Sequence, residues 1–525
     1  MTETYKELMD KGQALSNEKE YKEAIKIYKL AQLMYSNSLD SRTLAALYIR
    51  FANAYYALDD IDKATYYYEE YLKEYPQGQV SVFSRLAHSY YYLDADKSID
   101  YHNKAINLEV GKYDVSCKLF AMTKSSFYEQ EDIKEEAEYL VGMIKNHLFK
   151  NIKKYSHEDK KKNPNKKLNV GYLSSDCHAH TMMNYILPIW ENHNQNEFNF
   201  VIFNGSDKND STTQKIKETG IKMVSCANKK DEEIAQMIYD EGIDILVDLG
   251  GYTHLKTFAC LYKPAPIIIS YLGYLNTLGI KEIDYILADR YSIPEEKAYL
   301  YTEKPLYLDK GYHIFAEKSL PDINECPYKE NGYITYGSFN CTSKFSDAIL
   351  FIWAQILKKD LTSKLLIYRT QMTKRIIKQL KQKFKKLGIS EDRVIYESKS
   401  ESPHYKAYLN ADISLDPYPF SGMSISIETA LMGVPTITLI GDGIQSRGAG
   451  RINSLLGFEE FNAHSGEEYI NFALKLANDK DKLATLRHTL RTKMNNSDIR
   501  VNAKDFTCDL ELKYKKVWQN FINSP

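Results

Sequence analysis

The stretch 415–435, LDPYPFSGMSISIETALMGVP, has the residue types and spacing best suited to chemistry. A strand ending at Asp416 runs into a loop of Pro and Gly, and a helix is expected over about 423–432. Gly422 and Ser424 then stand at the helix start, where free backbone N–H groups and the helix dipole favour a phosphate. Glu428 lies about one turn further on, so its carboxylate can reach a ribose hydroxyl pair while the N-terminus holds a diphosphate. An ordinary strand, loop and helix with a solvated glutamate would use the same residue types. The phosphate-binding start, the carboxylate one turn later and the small-residue GVP exit together favour a nucleotide.

The elements that must position this loop divide the chain in two. Residues 1–150 carry only helical periodicity, with a repeat. Tyr48, Phe51, Ala52, Tyr55, Ala64, Tyr68, Tyr71 and Pro76 follow the large and small order of a tetratricopeptide unit. The register recurs earlier with Leu8, Gly12, Leu15, Ala24, Tyr28 and Ala31, later with Ser98, His102 and Ala105, and again with Ser125, Tyr128, Ala137, Val141 and Ile144. Small residues at Ala52 and Ala64 let paired helices approach, and Pro76 cannot continue the second helix. About four units are expected to stack into a solenoid.

Residues 151–167 are charged and contain a proline, and are expected to be a solvated linker. From Leu168 short apolar runs alternate with helical stretches in two series that break near 310–330, which predicts two parallel sheets covered on both faces. The expected organisation is α + α/β: a helical solenoid, a Rossmann-like domain over 168–325, a second over 326–505, and a C-terminal helix over 506–525 that packs back across the domains. Ligands of such domains sit beyond the carboxyl ends of the strands.

Composition excludes several classes. The 525 residues carry 69 Lys and Arg against 70 Asp and Glu, a net charge of -1. A protein that neutralises many phosphates shows a basic surplus, so nucleic acid is not expected as the main partner. Seven scattered cysteines form no CxxC pair and point to reduced thiols in the cytoplasm. The opening MTETYKELMDKG is charged where a secretion signal is apolar, and no membrane span is expected. The lysine-rich helix over 373–388 reads as an ordinary Rossmann helix with a solvated face.

Taken with Gly250-Gly251-Tyr252-Thr253, Lys263-Pro264-Ala265-Pro266, Leu272-Gly273-Tyr274 and Phe339-Asn340, the 415–435 loop resembles the O-linked N-acetylglucosamine transferase family. That family joins tetratricopeptide repeats to a two-Rossmann (GT-B) catalytic region. The resemblance covers about 168 to the end of the chain.

It implies roles residue by residue. The active-site histidine falls on His180 in VGYLSSDCHAH, and not on His178. The lysine that meets the donor diphosphate falls on Lys344 in FNCTSKFSD, where it offsets charge on the departing UDP as a metal does in DxD enzymes. His404 matches a nucleotide contact and Glu428 the acidic ribose ligand. Cys341 stands where a glutamine is usual, and Met423-Ser424-Ile425 replaces HTT or GTT, which removes side-chain donors and leaves the backbone N–H groups.

The resemblance therefore implies an inverting, metal-independent transfer from a UDP-sugar, N-acetylglucosamine first, to Ser or Thr of a protein acceptor such as flagellin, with no cofactor. The repeats would present the acceptor or serve self-association into a homo-oligomer. Two other readings are a non-catalytic repeat scaffold with a degenerate nucleotide-binding region, and a transferase acting on glycan or lipid.

Overall fold

The computed structural model describes residues 4–163, 166–316, 320–370, 372–398 and 405–524. The chain divides into two compact units, one ending at Ala121 and the other beginning at Met122.

The smaller unit is built from antiparallel helix pairs. Tyr5–Asn17 packs on Tyr21–Tyr35, Ser41–Ala57 on Ile61–Glu74, and Val80–Tyr90 on Ala95–Leu108. Aspartates at 40, 60 and 94 cap three of these helices by accepting from the backbone N–H of Thr43, Lys63 and Lys97. The small repeat positions Ala24, Ala52 and Ala64 are fully buried, and Tyr28 and Tyr68 fill the space between helices. In the third pair His102 takes the aromatic position. Its buried ring is satisfied by Asp114 Oδ1 at 2.7 Å, while Ser84 Oγ donates to Asp114 Oδ2 at 2.8 Å.

The larger unit contains two all-parallel sheets. The first has strands β1 (Leu168–Ser174), β2 (Phe198–Asn204), β3 (Lys222–Ser225), β4 (Ile245–Asp248), β5 (Ile267–Ser270), β6 (Tyr285–Ala288) and β7 (Lys304–Tyr307), in the order β3-β2-β1-β4-β5-β6-β7. The second has β8 (Thr335–Ser338), β9 (Lys364–Tyr368), β10 (Val394–Glu397), β11 (Ile413–Leu415), β12 (Thr436–Leu439) and β13 (Asn462–Ala463), in the order β10-β9-β8-β11-β12-β13. Both carry the doubly wound Rossmann order, so each has a crevice where the strand order reverses, at β1/β4 and at β8/β11. Strands such as β4, β5 and β8 are buried along their whole length, as sheets covered on both faces must be.

Two features depart from the sequence expectations. The helix Gln130–Leu148, expected to close the solenoid, belongs to the larger unit. Its Gln130 Nε2 donates to Asn276 Oδ1 at 2.6 Å, Lys134 Nζ to the Tyr299 carbonyl at 2.8 Å, and Lys145 Nζ pairs with Glu282 at 2.8 Å. Gly279 (φ +64°) lies against this helix so closely that a Cβ there would meet the Ala137 carbonyl oxygen at 2.7 Å. The charged segment after it is a strap on the first Rossmann domain. Tyr155 N–H donates to the Tyr262 carbonyl at 3.0 Å, and Lys160 Nζ reaches Asp244 Oδ1 at 3.0 Å and the Gly242 carbonyl at 2.9 Å. Lys160 and Lys166 both pair with the buried Asp244, a partner that composition alone does not reveal.

The last helix, Ala503–Ile522, packs on the first Rossmann domain, with Tyr514 Oη 3.0 Å from Tyr172 Oη and Glu511 accepting from His193 Nδ1 at 2.9 Å. Across the two Rossmann domains Arg451 pairs with Asp289 at 2.6 Å, and Arg447 Nε donates to the Tyr291 carbonyl at 2.7 Å. No helix among the described residues is long and apolar enough to cross a membrane.

Because Gly279 combines a left-handed backbone with contact against another backbone, Gly279→Val is expected to destabilise the larger unit by about 2–3 kcal/mol. Urea unfolding followed by tryptophan fluorescence measures it, and an unchanged midpoint would contradict this packing.

Candidate active site

Three strand ends of the second sheet meet at its crevice. After β8 the chain passes through Phe339, Asn340 and Cys341 into a short turn ending at Lys344; β9 ends beside Arg369; and β11 leads directly into Asp416. The loop from Asp416 leads to the helix Met423–Leu431, whose N-cap, Gly422, supplies no side-chain cap.

Asp416 organises this loop. Its buried carboxylate accepts from Gly422 N–H at 2.9 Å, Ser421 Oγ at 2.7 Å and Thr438 Oγ1 at 2.8 Å. Ser421 Oγ in turn accepts from Ala449 N–H at 2.8 Å. Burial pushes the Asp416 carboxyl up to about 6 against these donors and the Lys344 charge.

Lys344 bridges the two loops: its Nζ donates to the Ser421 carbonyl at 3.0 Å and lies 4.3 Å from the centre of the Phe420 ring. Burial pushes this ammonium down to about 8, aided by Arg369 and opposed by Asp416. A lysine with one carbonyl and one ring face for company at a helix N-terminus suits an incoming anion.

The other expected residues fall into place around it. Met423 is buried, with Tyr312 Oη donating to its Sδ at 3.0 Å. Ser424 Oγ lies 2.5 Å from Tyr185 Oη of the first Rossmann domain, and Ile425 packs beside Phe339 and Tyr408. Cys341 Sγ accepts from Ser343 Oγ at 3.1 Å in the lysine turn.

Glu428 differs from the solvent-facing carboxylate considered above. It is buried, and accepts from Tyr405 Oη at 3.3 Å and Tyr408 Oη at 2.8 Å. Burial and this carboxylate push the Tyr408 phenol well up, so it stays a donor. His404 lies outside the described residues.

On the first domain, His180 follows β1 in the β1/β4 crevice, with 44% of its side chain exposed. Its Nδ1 lies 3.5 Å from Asp176 Oδ2 and 3.4 Å from the Met182 N–H, which leaves Nε2 for a ligand. The helix Met183–Asn192 begins three residues later and carries Tyr185 to Ser424. His180 and the start of the second-domain helix are thus linked by five residues and one hydroxyl contact.

The sequence reading passed over Tyr185, Tyr408 and the anchoring role of Asp416. A tyrosine in a long apolar run reads as core, and only the fold brings Tyr185 to another domain. Asp416 carried a signal, since an aspartate ending a buried strand needs donors. Among the described residues no group of three or more His, Cys, Asp or Glu gathers at metal-ligand distance.

The chain matches the profile of glycosyl transferase family 41 over residues 139–325 and 327–510. It is 28% identical over 385 residues to a probable UDP-N-acetylglucosamine–peptide N-acetylglucosaminyltransferase SPINDLY of Solanum lycopersicum, covering 70% of this chain and 40% of that protein. The corresponding protein of Eustoma exaltatum subsp. russellianum is 30% identical over 379 residues, again 70% of this chain and 40% of the relative. The chain therefore spans about 40% of the length of these curated relatives. Among solved structures, a lysine-to-methionine mutant of Thermobaculum terrenum O-GlcNAc transferase superposes with a TM-score of 0.81 at 22% identity, covering 99% of both chains. At that identity the likeness establishes the fold, a helical N-terminal region followed by a GT-B pair.

The raised Asp416 carboxyl gives a signed pH effect. The folded state holds this proton more tightly than the unfolded chain, so its contribution to stability is full below pH 3.8 and lost as pH rises through about 6. The unfolding free energy of wild type minus Asp416→Asn should shrink across that window, measured by urea titrations. A difference that grows with pH would refute the assignment.

Proposed function

The chain belongs to glycosyl transferase family 41, and from that premise we propose that it moves a sugar, N-acetylglucosamine first, from a UDP-sugar to a serine or threonine of a protein acceptor. The observation that carries the reading is the uncapped start of the Met423–Leu431 helix with the Lys344 ammonium held beside it at the β8/β11 crevice. A diphosphate there meets backbone N–H groups, a helix dipole and a cation.

In this reading 326–505 holds the donor and 168–325 the acceptor. Glu428, steadied by Tyr405 and Tyr408, accepts from the ribose hydroxyls with its remaining lone pairs, and His404 contacts the nucleotide. Met423, Ser424, Ile425 and Cys341 line the donor site with few side-chain donors, so the diphosphate depends on backbone N–H groups and Lys344. The acceptor oxygen attacks the anomeric carbon from the face opposite UDP. The bond from that carbon to the β-phosphate oxygen breaks, its electron pair leaves with UDP, and configuration inverts. In the tautomer whose Nδ1–H faces Asp176, His180 Nε2 takes the hydroxyl proton. Lys344 offsets the charge growing on UDP, as a divalent ion would, so the reaction proceeds without a metal.

The helix pairs of residues 4–121 suit a polypeptide, as repeat surfaces do, and a serine- and threonine-rich protein such as flagellin is the first acceptor to test. Mass spectrometry of flagellin co-expressed with the chain should show a hexosamine or hexose increment. An unmodified acceptor, together with no UDP binding by calorimetry, would remove this reading.

Two variants probe the chemistry. His180→Ala should lower turnover about 10²–10⁴-fold with UDP affinity unchanged; near-normal turnover would exclude it as the base. Lys344 is charged below about 8 and neutral above, so wild-type UDP affinity should fall as pH rises past that value. Lys344→Met should bind more weakly below that pH and show no such fall; a parallel fall in both proteins would exclude the lysine as the titrating group.

A further inference from the structure

The donor crevice contains polar groups that no described residue satisfies. Asn340, two residues beyond β8, is 1% exposed, and both its Oδ1 and Nδ2 are buried without a hydrogen-bond partner among the described residues. Such an amide costs folding free energy, and buried amides are normally paired. Its head lies against the start of the Met423–Leu431 helix: a Cβ on Gly422 would clash with Asn340 Oδ1 and stand 2.8 Å from Nδ2. Glycine at the N-cap is what lets the amide come so near.

Arg369, at the end of the adjacent strand β9, repeats the pattern. Its Nε is buried without a partner among the described residues, and Nη1 makes a long contact of 3.5 Å to the Phe339 carbonyl, in the same loop as Asn340. Arg369 is close enough for its charge to act on Lys344. The carboxylate nearby, Asp416, is already engaged by Ser421, Gly422 and Thr438. Two cations and an amide unpaired among the described residues thus stand at the ends of neighbouring strands around one helix N-terminus, beside a carboxylate that is already engaged.

We propose that Asn340 and Arg369 are donor-binding residues that clamp the nucleotide's diphosphate from the side opposite the cleft, Asn340 through Nδ2 and Arg369 through its guanidinium. This rests on the UDP-sugar reading above and adds to it two residues outside the 415–435 loop and the Lys344 turn. It accounts for the unpaired amide: the ligand supplies the missing partner, and the empty site carries the cost. Fixed donors at both flanks also define the diphosphate's position where the Met423-Ser424-Ile425 start offers few side-chain donors.

The test uses the full chain with UDP, inorganic pyrophosphate and uridine as probes in calorimetry. Asn340→Leu keeps the shape and removes both unpaired atoms. It should weaken UDP and pyrophosphate at least 10-fold, leave uridine unchanged, and melt at or above the wild-type temperature. Arg369→Met should show the same loss for the two anions and serves should the first variant fold poorly. UDP affinities within twofold of wild type in both variants, or an Asn340→Leu protein that melts lower while its pyrophosphate affinity is unchanged, would overturn the assignment and leave the functional reading in place. A wild-type protein that binds neither UDP nor pyrophosphate would take down both.

Discussion

The crevice of the second parallel sheet depends on one buried carboxylate. Asp416 follows β11 inside the second Rossmann domain and collects the Gly422 N–H, the Ser421 hydroxyl and the Thr438 hydroxyl. These bonds fold the loop back so that the Ser421 carbonyl receives Lys344, and Gly422 opens the Met423–Leu431 helix toward the crevice. A negative group buried this deeply is tolerated because three donors and a neighbouring cation surround it. The anion-ready helix start, the lysine's position and the register of the loop all follow from that network.

A second constraint is the way the two Rossmann domains are held. Arg451 with Asp289, Arg447 with the Tyr291 carbonyl, and Tyr185 with Ser424 place polar contacts along their boundary. The Tyr185 contact ties the second domain to the short segment that carries His180. The amides of Gln130, Asn276 and Gln445 form a further chain, with Asn276 Nδ2 3.0 Å from Gln130 Oε1 and 3.1 Å from Gln445 Oε1, so the Gln130–Leu148 helix is bonded into both domains at once.

The crevice also shows how folding and binding oppose one another. Asn340 and Arg369 bury polar atoms that no described residue satisfies, and Lys344 keeps its charge at the expense of solvation. Such groups weaken the fold, and Asn340 and Arg369 stand at strand ends beside the point where the strand order of the second sheet reverses, where doubly wound sheets receive their ligands. Other buried polar groups are paired, among them His102 with Asp114 and His193 with Glu511.

Much of this was legible in the chain itself. The tetratricopeptide register rests on small residues such as Ala24 and Ala64, whose spacing follows from helix geometry alone. The parallel sheets are announced by uninterrupted apolar runs such as IDILVDLGG and APIIISYLG. The start of the Met423–Leu431 helix was readable from Gly422 and Ser424, because a helix N-terminus is a local property. What needed tertiary structure were the pairings between distant residues: Glu428 with Tyr408, Tyr185 with Ser424, Lys160 with Asp244, and Asn340 against Gly422. A residue's type states which bonds it can make. Which of those bonds are filled, and which are left open for a ligand, is decided by neighbours brought from elsewhere in the chain.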